Sequence, residues 1–272
     1  MNSGLVWVNR GPLWRKNSGE GTLRLLKILQ ALRSYWVHGR GMYLLVAPPV
    51  YKEEIDGDAF RDYGFVPAPR PEDWVSARLD LNSPLEKLKG NLDPKWRNCL
   101  GKAERSGLQC RSGTEEPIFA YILGEYAGML QKKRLIGTAE PELLAGLQAR
   151  FSDSNKFLGF VAVRENERLG GILIARYGFT CEYLVGAVND NGKSLNAGNY
   201  LLWQAIAFMK DLGCRWFDLG GMHPVETPAG IFHFKKGLGG QAYGFIGNVE
   251  AYRDGIINRI ISRRLNRGKG DS

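Results

Sequence analysis

The chain has 272 residues, of which 44% are hydrophobic and 24% charged, a composition that excludes a largely disordered protein. No apolar run long enough to span a bilayer occurs, and the start, MNSGLVWVNRGPLW, has no charged segment followed by an apolar block and a cleavage site; the expectation is a cytoplasmic protein. The net charge of +9 favours polyanionic partners such as RNA, anionic lipid or phosphate-bearing substrates, without choosing among them.

The first elements are short. VWVNRGPLW alternates and then turns at Gly-Pro, which predicts a strand entering a turn. Residues 20–37 place Leu25, Ile28, Leu29, Leu32 and Trp36 at helical spacing, with Arg24, Lys27 and Ser34 opposite. MYLLVAPP reads as a buried strand stopped by prolines, residues 59–65 as a short helix, and VSARLDL as a further strand. Residues 83–107 form a basic helical stretch with two starts, Ser83-Pro84 and Asp93-Pro94, and a stop at Gly107. A composition break at CRSGTEEP follows, giving expected domains of 1–108 and 109–252 and a basic tail at 253–272.

The second half is more regular. Two helices, residues 117–134 and 141–151, precede three strands, FLGFVAVREN, ERLGGILIARYG and TCEYLVGAVND, joined by short turns. AGNYLLWQAIAFMKDLG is a long helix, CRWFDLGG a strand, IFHFKKGLGG a short element with a glycine-rich exit, and QAYGFIGNVEAY a last strand. This order predicts an α+β fold with a mixed, mainly antiparallel sheet and helices on both faces. A three-strand meander followed by a helix is the core of the GNAT acyltransferases. In the members that use acetyl-CoA, the helix opens on closely spaced glycines whose free N–H groups hold a pyrophosphate. The corresponding turn, NDNGKSLNAGNYLLW, offers Gly192, Lys193 and Gly198 without that tight spacing.

Cys99, Cys110, Cys181 and Cys214 form no C-x-x-C pair and lie at no metal-ligand spacing from a histidine, and only His38, His223 and His233 exist. No metal site is expected. The tail GIINRIISRRLNRGKGDS sets Arg259, Arg263, Arg264, Arg267 and Lys269 beside Ile256, Ile257, Ile260, Ile261 and Leu265. Such a basic amphipathic helix is open to peripheral membrane contact, to tRNA contact, or to packing of its apolar stripe on its own domain.

The block FDLGGMHPVETPAGIFHFKKGLGG, with KWRNCLGKAERSGL and NYLLWQAIAFMKDLGCRWFDLGG, resembles the FemABX family of aminoacyl-tRNA-dependent transferases. The resemblance implies two GNAT-like halves, the first trimmed. It also implies an aminoacyltransferase with no metal or organic cofactor, aminoacyl-tRNA as co-substrate and a peptide-like amine as acceptor. Lys235 of the Phe234-Lys235 pair would neutralise an oxyanion. Around it, Asp218 orients an amine or caps a turn, Gly220 and Gly221 allow close backbone approach, and His223 is a further candidate. Tyr200 and Trp203 are candidates for stacking on a base or sugar and equally for the core, and Arg97, Lys102, Arg105 and Lys236 for contacts to phosphate. The arginine-tyrosine pair with which some relatives hold the acceptor has only Lys132, Lys133 and Arg134 as loose substitutes. Two other classes stay open: a CoA- or carrier-dependent N-acyltransferase, and a non-catalytic RNA- or membrane-binding protein.

Overall fold

The computed structural model describes residues 4–15, 21–68, 75–133 and 139–267; Arg134 and Lys269 lie outside them. In chain order the elements are β1 (Leu5–Asn9), α1 (Leu23–Arg33), β2 (Tyr43–Ala47), β3 (Val66–Pro67), β4 (Val75–Asp80), α2 (Leu85–Gly90), α3 (Pro94–Glu104) and β5 (Gln109–Gly113). They continue with α4 (Glu116–Lys133), α5 (Pro141–Arg150), β6 (Leu158–Arg164), β7 (Glu167–Tyr177), β8 (Thr180–Val188), α6 (Asp190–Ser194) and α7 (Ala197–Asp211). The last are β9 (Trp216–Asp218), α8 (Ala229–Lys236), β10 (Gln241–Gly244), β11 (Val249–Ala251) and α9 (Ile256–Arg267). The fold is α+β, with a four-stranded sheet β1-β2-β11-β3 and a seven-stranded sheet β10-β4-β9-β8-β7-β6-β5.

These elements form two compact units, one of residues 1–75 with 243–272 and one of residues 76–242. The break expected at 108–109 is not where the units divide. Leu88, Leu92, Trp96, Leu100 and Ala103 of the basic helical stretch are buried in the same cluster as Leu201, Leu202, Ala205 and Ile206 of α7. Burying that apolar stripe ties α2 and α3 to the large sheet. The composition break read as a domain boundary begins inside β5, an edge strand paired antiparallel to β6 from Gln109 to Gly113. An edge strand exposes half of its side chains, so polar residues there do not prevent pairing.

In the larger unit the meander β6-β7-β8 is antiparallel, as its alternation predicts. Both sheet faces are apolar. Phe160, Ala162, Ile172 and Ile174 pack on the side of α3 and α7, while Val161, Val163, Leu173 and Val185 pack against Phe119, Ile122 and Tyr126 of α4. β9 adds to β8 in parallel after the α7 crossover, and β4 pairs antiparallel to β9 on its other side.

In the smaller unit, Leu25 and Leu29 of α1 pack with Leu44 and Val46 of β2, Phe60, Phe65 and Val249. On a separate cluster Ile261 of α9 lies with Tyr43, Leu45, Ala68 and Tyr252, so α9 packs apolar surface on its own unit. Tyr43 donates a hydrogen bond to the buried carboxylate of Glu250, and burial raises the pKa of that carboxylate. The single last strand expected over 241–252 is two strands in two different sheets. The chain breaks between them at Gly247, whose φ of +82° suits glycine.

Candidate active site

β8 and β9 pair at three positions only, Thr180 with Trp216, Cys181 with Phe217 and Glu182 with Asp218. β9 then ends, while β8 runs on to Val188. The strands part at Glu182 and Asp218, and the turn Leu219–Gly220–Gly221 leaves from the same point. Asp218, 7% exposed, accepts from the Gly220 N–H at 2.8 Å. The fully buried Ser76 of β4 places its single O–H within 2.6 Å of Asp218 Oδ1 and 2.8 Å of the Gly220 carbonyl. Asp218 therefore clamps the turn, the capping role weighed for it above.

Gly220 has φ +69°, and a Cβ there would stand 2.9 Å from the Tyr183 carbonyl and 3.4 Å from Lys235 Nζ. Glycine is needed on both counts. Gly220→Ala is expected to lose about 1–3 kcal/mol, read as a lowered thermal midpoint; an unchanged midpoint would show that the turn is not held as described.

Lys235 comes from α8. After the Pro228 start this helix runs for only eight residues, and Lys235 is its buried one, 8% exposed. The neighbouring Lys236 is exposed, with its ammonium 5.8 Å from the Phe232 ring centroid. Lys235 Nζ donates to the Gly221 carbonyl at 3.0 Å and stands 5.5 Å from the centroid of the Tyr183 ring. Burial pulls its pKa down to about 8, against the opposing pull of Glu182 and then Asp218. Burial also pushes the Tyr183 hydroxyl up to about 12. The result is a lysine held in protein, under the Coulomb influence of two carboxylates, at a fork between strands.

Phe234 holds α8 in place. Its ring lies 6.0 Å from that of Trp96, whose indole N–H donates to the Phe234 carbonyl at 3.0 Å. The Gly237 carbonyl accepts from the Asp93 N–H at 2.8 Å. A Cβ at Gly237 would meet Trp96 Cδ1 at 2.8 Å, and one at Gly239, whose φ is +71°, would meet the Asn91 carbonyl at 2.4 Å. The glycine-rich exit is thus a close seat for the start of α3, and it links two separate sequence blocks by contact.

The other candidates fall elsewhere. Trp203 is 7% exposed in the main core, and Tyr200 packs half-buried against the same cluster, where burial raises its hydroxyl pKa. His223 Nδ1 accepts from the N–H groups of Val225 and Glu226 at 3.3 and 3.1 Å, so its ring closes a turn. Arg97 and Lys102 of α3 and Arg105 at its C-cap are exposed, Arg97 with a 3.5 Å hydrogen bond to the Leu92 carbonyl. In the turn before α7, the Gly192 N–H is spent on Asn189 Oδ1 at 2.7 Å and Lys193 pairs with Asp190 at 2.6 Å. That turn offers neither the Gly192 N–H nor an unpaired Lys193 to a pyrophosphate. Among the described residues no group of three or more His, Cys, Asp or Glu side chains converges as metal ligands would, and no helix is long and apolar enough to cross a membrane.

Glu182, Tyr183 and Ser76 were not singled out in sequence. A lone charge within the apolar strand TCEYLVGAV and a serine at an inward position of VSARLDL were the available signals.

The antiparallel meander, the crossover helix and the parallel strand that diverges beyond it define a GNAT-like fold. The model of the FemAB family matches residues 147–259, less than half of the chain. A structure of FemX is similar with a TM-score of 0.76 at 11% identity, over 96% of this chain and 83% of that one. The C-terminal domain of a putative lysylphosphatidylglycerol synthetase from Agrobacterium fabrum gives 0.61 at 11% identity, over 97% and 82%. L-PGS from Bacillus licheniformis gives 0.56 at 15%, over 97% and 83%. No curated protein matches in sequence.

Proposed function

We propose that the protein is an aminoacyltransferase that moves an amino acid from aminoacyl-tRNA to an amine of a peptide-like acceptor, either a cell-wall precursor or a peptide natural product. The observation that carries this reading is the buried Lys235, its ammonium bonded to the Gly221 carbonyl where β8 and β9 part. The match of the FemAB family model to residues 147–259 and the likeness in fold to a putative lysylphosphatidylglycerol synthetase support it.

The acceptor nitrogen attacks the ester carbonyl carbon, and its lone pair forms the new C–N bond while the carbonyl oxygen takes up negative charge. A fixed ammonium beside that oxygen stabilises the tetrahedral state more than the uncharged ester. Collapse breaks the C–O bond to the terminal ribose of tRNA, and the proton lost from the attacking nitrogen ends on that ribose oxygen. Amide and deacylated tRNA balance the step. The ester is already activated, so no strong general base is required, in keeping with a His223 ring that closes a turn. The exposed Arg97 and Lys102 of α3, Arg105 at its C-cap and Lys236 of α8 are the basic residues assigned to tRNA phosphates. The engaged turn before α7 counts against a CoA donor.

The test is incubation of purified protein with a mixture of charged tRNAs and amine acceptors, read by mass spectrometry for new amides. RNase-sensitive product is expected. Turnover that ignores RNase and runs on acyl-CoA would overturn the reading.

A further inference from the structure

Glu182 stands at the last position where β8 and β9 are paired, beside Asp218. Tyr177 of β7 donates its hydroxyl to Glu182 Oε2 at 3.1 Å, which fixes the carboxylate to the sheet. A Cβ at Gly220 would lie 3.7 Å from Glu182 Oε1 and 3.4 Å from Lys235 Nζ. Carboxylate and ammonium thus approach one small volume, from β8 and from α8, that glycine leaves empty.

The other groups around Lys235 have distinct tasks. Asp218 of β9 is bonded to Ser76 and to the Gly220 N–H, and holds the turn. Tyr183 of β8 offers its ring face and Gly221 its carbonyl. Arg78 of β4 is opposite Asp218 in register and stacks 4.3 Å from the centroid of the Trp216 ring. On α8 itself His233 and Lys236 are exposed.

We propose that Glu182 is a positioning residue that keeps Lys235 aimed at the fork and in its ammonium form. The inference rests on the reading of Lys235 as the cation facing the oxyanion. A neutral amine would donate more weakly to a developing negative charge. Burial favours that neutral amine, and among the groups that oppose burial Glu182 has the largest effect, ahead of Asp218.

The experiment uses the whole chain and reads Lys235 directly. Each variant is exposed to a small amine-acylating reagent across a pH series, and modification of the Lys235 peptide is quantified by mass spectrometry. In Glu182→Gln the midpoint of reactivity should fall by about one pH unit, a tenfold change in the ratio of ammonium to amine. Glu182→Asp, which keeps the charge, should shift less. With charged tRNA as donor, the alkaline limb of the pH–rate profile should move by the same unit, with kcat affected more than KM. An unchanged midpoint in a folded Glu182→Gln protein overturns the proposal. If that variant does not fold, Tyr177→Phe takes its place, and an unchanged midpoint there overturns it equally. A shifted midpoint in a protein that makes no amide from any charged tRNA upholds the influence of Glu182 on Lys235 and removes the transfer reading instead.

Discussion

Lys235→Met should lower amide formation by about two to three orders of magnitude while making the protein more stable at neutral pH. The two effects share one cause. A buried ammonium is costly, and the Lys235 pKa of about 8 against an ordinary 10.5 measures that cost. The sign follows from proton counting. Between about pH 8 and 10.5 the unfolded chain binds more protons at this site than the folded one, so stability rises with pH across that window. Below it the full cost applies, on the order of 3 kcal/mol as an upper figure. Methionine removes the charge and keeps the apolar stem, so its thermal midpoint should exceed that of the parent at pH 7 and approach it near pH 10.5. Wild-type rate should fall as pH rises through about 8, where the ammonium is lost. A methionine variant with unchanged rate would remove Lys235 from the chemistry, and one less stable at pH 7 would remove the cost ascribed to its burial.

Trp96→Ala should destabilise the fold by about 3–5 kcal/mol. The ring is 5% exposed, packs on Phe234 and fills the space that Gly237 leaves. Losing it opens a cavity under α8 and frees the Phe234 carbonyl from its indole partner. Because α8 carries Lys235, transfer should fall as well, even under conditions where the variant remains folded. Trp96→Phe keeps most of the volume and loses the hydrogen bond, worth about 1 kcal/mol. Urea unfolding of both variants, alongside single-turnover transfer, separates packing from chemistry. A cost for Trp96→Ala near that of a surface substitution would refute the proposed seat for α8.

Much of the fold was legible because the signals were local. The alternation of FLGFVAVREN, ERLGGILIARYG and TCEYLVGAVND marked three strands, and the helical spacing of NYLLWQAIAFMKDLG marked α7. The candidate lysine was legible through a resemblance carried by a short block, and the structure places that residue in a buried, charged setting. The readings that moved depended on distant partners. The composition break at CRSGTEEP looked like a domain boundary because its side chains are polar, yet pairing with β6 makes residues 109–113 a strand of the large sheet. QAYGFIGNVEAY looked like one strand because its two apolar pieces are adjacent in sequence, although they complete different sheets. Trp203 was eligible for ligand stacking until its burial showed that the core holds it.

By itself the sequence determined the three-strand meander and the long helix α7, since periodicity is a property of neighbouring residues, and a contiguous motif singled out the lysine to test through its resemblance to a family. The tertiary structure alone decided which groups surround that lysine. Ser76, Glu182, the turn from Asp218 to Gly220, and Lys235 lie on separate parts of the chain, and only the divergence of β8 from β9, with α8 seated on Trp96, brings them to one point. Burial and Coulomb interaction depend on distance in space, and so they set the charge of Lys235 only once the chain is folded.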